Sequence, residues 1–497
     1  MGRIIDTAVD GPATLPQQES DWAYNGIDCL ATRQCLDAML PQLDQLTSAT
    51  YSFSRALQGP VLDMRVHGVL VDQTRRSEVI DELYERASCI EGNLERIVLE
   101  GCGELSFNWR SNSDLQRLFY DRLGIPAIYY QGRVTVNRNA LEKLTLYPDA
   151  EPIVKHILAL RDIHKKIAVL KTDIDPDGRI RTSYNIAGTD TGRFSSSQSE
   201  FGTGGNLQNI EESLRSILVA DPGTKWAKLD AKSGESYCVG AIEWNLFGDG
   251  RYLDAIETGD IHTAVARLVW ENLPWTGNLK ADKAIASRPF YRGLSYRDTS
   301  KRLGHGSSYG GQPPTLAAQT HIPLEIVEAF QHRFFSIFPA HQRWHAWTKD
   351  RLASTGTLVN LLGRKRQFFG RRNSMETLRS ALAYDPQGSL ADIVNRAMLR
   401  VWRAGARVVL HDHDALTIQF PEADEGQMVP WLLAELVEPV PLANGRTLRI
   451  PYDCETGWNK AHATEDNPDG LRPWTGPDTR VRTPTRGLLD RRVRGVY

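Results

Sequence analysis

No Cys-x-x-Cys pair occurs anywhere in this sequence. Its six cysteines (Cys29, Cys35, Cys89, Cys102, Cys238 and Cys454) are scattered. That argues against a zinc knuckle or a disulfide framework and fits a reducing compartment. The chain opens without a basic-then-apolar signal, and no apolar run reaches the roughly eighteen residues of a membrane span. A soluble protein without a membrane partner is expected, with the cytoplasm as its location. A G-x-x-x-x-G-K-[ST] loop is absent, which excludes that kind of phosphate cradle. An excess of one charge is also missing. At a net charge of -2, any nucleic-acid surface must be a local basic groove rather than a global field. No internal repeat is visible.

What is present suits a large soluble protein. The 497 residues, 41% hydrophobic and 24% charged, leave room for two to four domains or subdomains. Asp21 to Leu40 reads as a helix. A strand is expected over Val66–Asp72, and a long amphipathic helix from Thr74 to about Glu100, where Val79, Ile80, Leu83, Ile90, Leu94, Ile97 and Val98 recur at helical spacing. Ser111 caps a further helix, and others run from Arg138 and from Glu151 to about Lys171. A strand at Gly178–Tyr184 leads into a Gly/Ser-rich loop, Gly188 to Asn209. From Trp226 the chain alternates: a strand to Asp230, a helix from Gly234 to Trp244, and a long helical region from Ile261 to about Arg351. A hairpin over 357–372, a helix from Gln387 to Trp402 and a last strand at Thr447–Cys454 follow. The final segment, Arg472 to Tyr497, has seven Arg and two Asp and reads as a basic tail.

Four constellations carry chemistry. Val408 to Phe420 reads as two apolar strands joined by a tight turn, with His411-Asp412-His413-Asp414 at the tip. Carboxylates on a rigid turn suit a hard divalent cation, although Asp is also a common turn residue for local hydrogen bonding. The strand Trp226–Asp230 ends on an acid and is followed by Glu235. Two carboxylates, one at a strand end and one on a neighbouring hairpin, are the usual protein contribution to a two-metal site; as an alternative, Asp230 simply caps a helix. Arg297, Lys301, His305 and Tyr309 recur every four residues, forming one helical stripe suited to a triphosphate and a base. A solvated helix face explains the two cations but not the glycines or the aromatic in register. Thr191-Gly192-Arg193 and Asn206-Leu207-Gln208-Asn209 supply amide and guanidinium donors suited to the minor groove, as against a plain linker. A basic cluster (Arg364, Lys365, Arg366, Arg371, Arg372) with Phe368 and Phe369 suits a phosphate backbone, and a solvated hairpin nearly as well.

These residues together resemble a family A DNA polymerase, the DNA polymerase I type of bacteria and many phages. The resemblance spans roughly residues 20 to 462. Asp230-x-x-x-x-Glu235 is similar to polymerase motif A, Arg297-x-x-x-Lys301-x-x-x-His305-x-x-x-Tyr309-Gly310 to motif B, and His413-Asp414 to motif C. Thr191-Gly192-Arg193, Asn206 to Asn209, Asp260-Ile261-His262, Gln387-Gly388-Ser389 with Asp392, and the closing Gly457 to His462 fall in the family's order. The resemblance implies an α+β, right-hand fold: an antiparallel palm sheet at 172–240 and 385–462, a helical thumb at 73–171 and helical fingers at 241–384. Residues 1–50 would be the end of an exonuclease-like domain, 51–72 a connector and 463–497 the tail. It further implies that Asp230 and Asp414 hold two Mg2+ ions, with Mn2+ as a substitute. Lys301 would meet the phosphate under attack, Arg297 and His262 the outer phosphates, and His305 the incoming nucleotide. Glu235 would exclude a ribose 2'-hydroxyl and Tyr309 would stack near the templating base. Arg193, Gln387, Arg379, His413, Asn206 and Gln208 would contact DNA. The implied partners are primer-template DNA and dNTPs, with a place for a separate exonuclease or processivity factor.

Three departures qualify this. The motif B aromatic is His305, the acid that usually follows His-Asp is Ala415, and the loop before Asn206 is long. Tyr24-x-x-x-Asp28 resembles only the last motif of the proofreading exonuclease, so no proofreading is expected. The rival expectations are a single-subunit RNA polymerase and a catalytically inactive DNA-binding replication protein. Counting from the apolar strands aligns the second His-Asp with motif C, so the resemblance implies Asp414, not Asp412, as the metal ligand.

Overall fold

The structure, a computed structural model, describes residues 17–103, 107–199 and 202–477. Helix α1 (Gln17–Met39) covers the expected first helix and is exposed along most of its length. A helix at Gln58–His67 then runs on until Gly68, whose positive φ of 64° ends it. Strand β1 is therefore only Val69–Val71, shorter than the Val66–Asp72 strand expected, because the leading residues are still helical. Asp72 caps α2 (Gln73–Cys102), its carboxylate accepting the Arg75 N–H at 3.0 Å. The buried face of α2 (Ala87, Leu94, Val98) packs with α3 (Glu151–Leu170) through Ile153, Ile157 and Leu160. Leu115, Phe119, Leu141 and Leu144, from the segment between the two helices, complete a core distinct from the main one around α4 and α7.

The segment expected as one strand at 178–184 is two: β2 (Arg179–Ile180) and a short strand at Ser183–Asn185. β2 and β3 (Leu218–Val219) flank β1 in a small sheet. β4 (Thr224–Ala231) is the centre of the main sheet. Helices α4 (Gly234–Phe247), α5 (Ile261–Val269) and α6 (Tyr296–Ser308) follow, and then α7 (Met375–Arg403). α7 begins twelve residues before the start expected at Gln387 and passes through Pro386 without ending. β5 (Arg407–Asp412) and β6 (Ala415–Pro421) form the hairpin, and β7 (Tyr452–Gly457) and β8 (Arg472–Pro473) complete the antiparallel order β5-β6-β4-β7-β8.

Alternation along β4 sorts its side chains. Ala227, Leu229 and Ala231 enter the main core with Leu416, Ile418 and residues of α4 and α7, while Trp226 packs on the other face. Lys228 and Asp230 share the Trp226 face and stay partly exposed. Two expectations need correction. The strand expected at Thr447–Cys454 is Tyr452–Gly457 in the main sheet; Thr447–Leu448 pairs instead with Val440–Pro441. The tail expected from residue 463 does not begin there. Residues 463–473 fold back on β7, where Glu455 pairs with Pro473 and the Leu471 N–H donates to the Ala461 carbonyl at 2.7 Å. Gly457 and Gly470 make that approach possible: a Cβ on Gly457 would lie 2.6 Å from the Gly470 carbonyl oxygen. The remainder of the expected tail, 478–497, lies outside the described residues.

Candidate active site

The hairpin tip is a two-residue turn. Asp412 closes it opposite Ala415, and His413 takes a left-handed φ of 61°. The turn places Asp414 beside the end of β4, where the Ala231 N–H donates to the Asp414 carbonyl at 3.1 Å. Register then builds one row across four strands: Asp412, Ala415, Asp230 and Asp453. Most of the acids here have a basic partner. Asp412 pairs with Lys460, Asp453 with Lys232 at 4.0 Å, and Glu455 with Lys228 at 3.3 Å. Among the described residues, Asp230 and Asp414 have no ion-pair partner and line one cavity of about 630 Å3. Burial first, and then the Asp414 charge, push the Asp230 carboxyl up to about 6 against the opposing pull of Lys228.

The other wall of the cavity is α6. Its N-terminus has a reciprocal cap. The Ser295 hydroxyl accepts the Asp298 N–H at 3.0 Å, and the Asp298 carboxylate accepts the Ser295 N–H at 3.2 Å. This cap and the buried Leu303 hold a helix that its glycines disfavour. Lys301 and His305 line the same cavity as Asp230 and Asp414, together with Glu235 and His262. Burial and the nearby Arg297 pull the His262 imidazole down to about 4, so it faces the cavity neutral. Arg297 is in the stripe but is held by Asp260, the cap of α5, at 2.9 and 3.3 Å.

Glu235 is held from two sides. Arg193 donates to its Oε1 at 2.5 Å, and the Tyr309 hydroxyl donates to its Oε2 at 2.6 Å. Tyr309 follows the last residue of α6, and its ring meets that of His305 edge-on at 4.8 Å. The Thr191–Arg193 loop docks on α7. The Asn395 amide donates to the Gly192 carbonyl at 3.5 Å, and a Cβ on Gly388 would come within 3.0 Å of the Thr191 carbonyl oxygen.

A model of DNA polymerase family A matches residues 77–464. The chain belongs to that family. It is 28% identical to the thermostable DNA polymerase I of Thermus aquaticus over 81% of this chain and 47% of the relative. It is 27% identical to DNA polymerase I of Deinococcus radiodurans over 86% and 43%. The chain thus spans about half the length of the curated relatives it matches. A solved structure of the POL domain of Pol1 from M. smegmatis, in complex with DNA primer-template and dNTP, superposes with a TM-score of 0.65. It is 23% identical over 82% of this chain and 69% of that one. The fold is accordingly the right-hand, α+β polymerase fold with an antiparallel palm sheet.

The remaining expected residues of this family A chain fall in three groups. Gln387 is half-buried on α7 near the loop that carries Arg193, while Arg379 is exposed further back on the same helix. Asn206 is exposed and caps the short helix Leu207–Asn209. His413 sits in the turn itself, its Nδ1 buried without a hydrogen-bond partner among the described residues. Gln208 is buried, and its amide donates at 3.0 Å to the His411 carbonyl, so it braces the hairpin. The basic cluster is also divided. Arg364 pairs with Asp392 at 2.6 Å, Lys365 with Asp44 and Arg366 with Asp190, which leaves Arg371 and Arg372 exposed.

Several residues had no role in the sequence reading. His411 stacks on Phe194 at 4.5 Å and bonds Asn395 at 2.9 Å, and it holds the hairpin to α7. Asp260 orients Arg297, and Lys460 meets Asp412. Each lay inside a quoted motif (His411-Asp412-His413-Asp414, Asp260-Ile261-His262 and the closing Gly457–His462 signature) without a role of its own.

Proposed function

We propose that this chain extends a primer 3' end on a DNA template with deoxynucleotides, by nucleotidyl transfer at Asp230 and Asp414. The observation that carries this reading is one cavity lined both by two carboxylates without ion-pair partners among the described residues and by Lys301 on a capped helix. The donor set fits Mg2+. It offers hard oxygen ligands, and the raised affinity of Asp230 for a proton marks a place where positive charge is favoured. Among the described residues, no group of three or more His, Cys, Asp or Glu could hold a metal unaided, so phosphate and water oxygens complete the coordination. Two bound Mg2+ ions, with Mn2+ as substitute, supply a lowered primer-hydroxyl pKa and charge compensation on the leaving pyrophosphate.

The chain's residues do the rest. Lys301 meets the triphosphate and is placed to give a proton to pyrophosphate. Neutral His262 donates a hydrogen bond to an outer phosphate, and Arg297 reaches the same end once it exchanges Asp260 for phosphate. Glu235, fixed by Arg193 and Tyr309, limits the room for a ribose 2'-hydroxyl, and His305 lies against the sugar. Arg193, Gln387 and Arg379 follow the minor groove, Asn206 and His413 the primer strand, and Tyr309 the templating base when it leaves Glu235. In this reading residues 172–240 with 385–477 are the palm, 241–384 the fingers and 73–171 the thumb. Primer-template DNA and dNTPs are the partners. Tyr24 and Asp28 lie exposed on α1, and this chain is read as one that does not proofread.

Primer extension with Mg2+ tests this. Asp414→Ala and Asp230→Ala are each expected to reduce extension by roughly a thousandfold or more while primer-template binding persists. Extension unaffected by Asp414→Ala refutes the site. Ribonucleotides incorporated as fast as deoxynucleotides would favour an RNA polymerase. Trimming of a labelled mismatched primer would overturn the no-proofreading reading.

A further inference from the structure

The row Asp412–Ala415–Asp230–Asp453 puts more carboxylate on one sheet face than two metal ligands require. Strands in a sheet are about 4.8 Å apart, so Asp412, two strands from Asp230, lies roughly 10 Å from it along the row. Asp412 is also two residues from Asp414 in the same turn. Its Oδ2 meets Lys460, and its Oδ1 is buried without a hydrogen-bond partner among the described residues. The Lys460 side chain is 3% exposed and that of Asp412 16%. Little water reaches the pair, so the charge of Asp412 is compensated chiefly by Lys460.

Lys460 is itself fixed from a different part of the fold. Its N–H donates to the Leu218 carbonyl at 3.0 Å, and the Ala220 N–H donates to the Trp458 carbonyl at 2.8 Å. Asn459 bridges to Val219 of the small sheet. The ammonium group is therefore brought to the hairpin by backbone pairing that does not involve the hairpin. This differs from Lys228 and Lys232, which lie on or just after β4, beside the acids they meet.

We infer that Lys460 is a positioning residue of the polymerase site: by neutralising Asp412 it leaves cation binding to Asp230 in the row and Asp414 in the turn beside it, and it clamps the turn that carries Asp414. The inference rests on the proposed role of Asp414. Without Lys460, Asp412 is a third, competing carboxylate that draws a divalent ion along the row. Without Asp412, the Lys460 cation opposes ion binding.

The test uses the full chain with Lys460→Met, Asp412→Asn and the double variant. Mn2+ alone is titrated by electron paramagnetic resonance, and kcat and the dNTP KM are measured by primer extension. Lys460→Met is expected to bind Mn2+ about threefold to tenfold more tightly while kcat falls about tenfold and KM stays within about threefold. Asp412→Asn is expected to weaken Mn2+ binding by a similar factor, and the double variant to return both quantities toward the unmodified protein. A merely structural role predicts lower Tm and a smaller active fraction with unchanged Mn2+ affinity per active site, and that result overturns the inference. So does Mn2+ binding that moves the same way in both single variants. If Lys460→Met fails to fold, the sign of the Asp412→Asn shift decides the matter: unchanged or tighter binding refutes it. Normal extension by Asp414→Ala would instead defeat the proposed function on which this rests.

Discussion

Glu235 shows how much one residue's environment decides. Its two oxygens are each held by a different element, Arg193 from the loop and Tyr309 from the end of α6. A hydrogen bond to a charged group contributes about 1.5–3 kcal/mol, so releasing one should loosen the carboxylate by at least about tenfold. Tyr309→Phe is expected to reduce the dNTP-over-rNTP ratio of kcat/KM by that factor, and an unchanged ratio would show that Tyr309 does not hold Glu235 during selection. Asp385 carries a second prediction at this scale. Burial pushes its carboxyl up to about 7, only partly offset by the 3.2 Å hydrogen bond from Ser389. The folded state therefore favours the proton. The resulting stability is fully present below the ordinary carboxylate range and is lost as pH rises through about 7. Asp385→Asn, neutral throughout, should be more stable than the unmodified protein at pH 8.5 by on the order of 3 kcal/mol, with the difference shrinking toward zero near pH 4. Denaturant titration at several pH values measures this, and a pH-independent difference would contradict it.

At the scale of elements, two glycines make opposite predictions. A Cβ on Gly457 would meet the backbone of Gly470 and Leu471 at 2.6–2.8 Å, whereas one on Gly304 in α6 would find only Phe334 at 3.8 Å. Gly457→Ala should push the 463–473 return off β7 and cost about 1–3 kcal/mol. Gly304→Ala should stabilise α6 by up to about 1 kcal/mol through helix propensity alone. Thermal unfolding of the two variants checks both signs. Helix α7 teaches a related lesson. Pro386 and Gly388 are poor helix residues, and the pattern alone put the start of the helix at Gln387, just after Pro386. Burial of Leu382, Tyr384, Leu390 and Ile393 overrides that local preference.

Over the whole molecule, the core built from α2, α3 and the segment between them is separate from the core around the main sheet. Such a unit can open independently. Leu141→Ala, at a fully buried position in it, should cost about 2–5 kcal/mol and lower only one of two calorimetric transitions, with the dNTP KM unchanged. A single transition that shifts as a whole would show the two cores to be cooperative.

Much was legible from local pattern. Period-two alternation announced the hairpin, and four-residue spacing announced the α6 stripe. The apolar run before Asp230 announced the central strand, because each reflects which face of one element is buried. What no local pattern contains is which elements meet. The choice of Asp414 over Asp412 was argued by counting. The structure adds the physical difference: Asp412 meets a lysine 48 residues away, whereas Asp414 sits beside the end of β4, unpaired, in the cavity it shares with Asp230. Gln208 and Arg364 suggested nucleic-acid contacts because their side chains are able donors, and tertiary packing brings those donors to His411 and Asp392. Residue type sets what a side chain can offer, and sheet register and strand order decide what it is offered to.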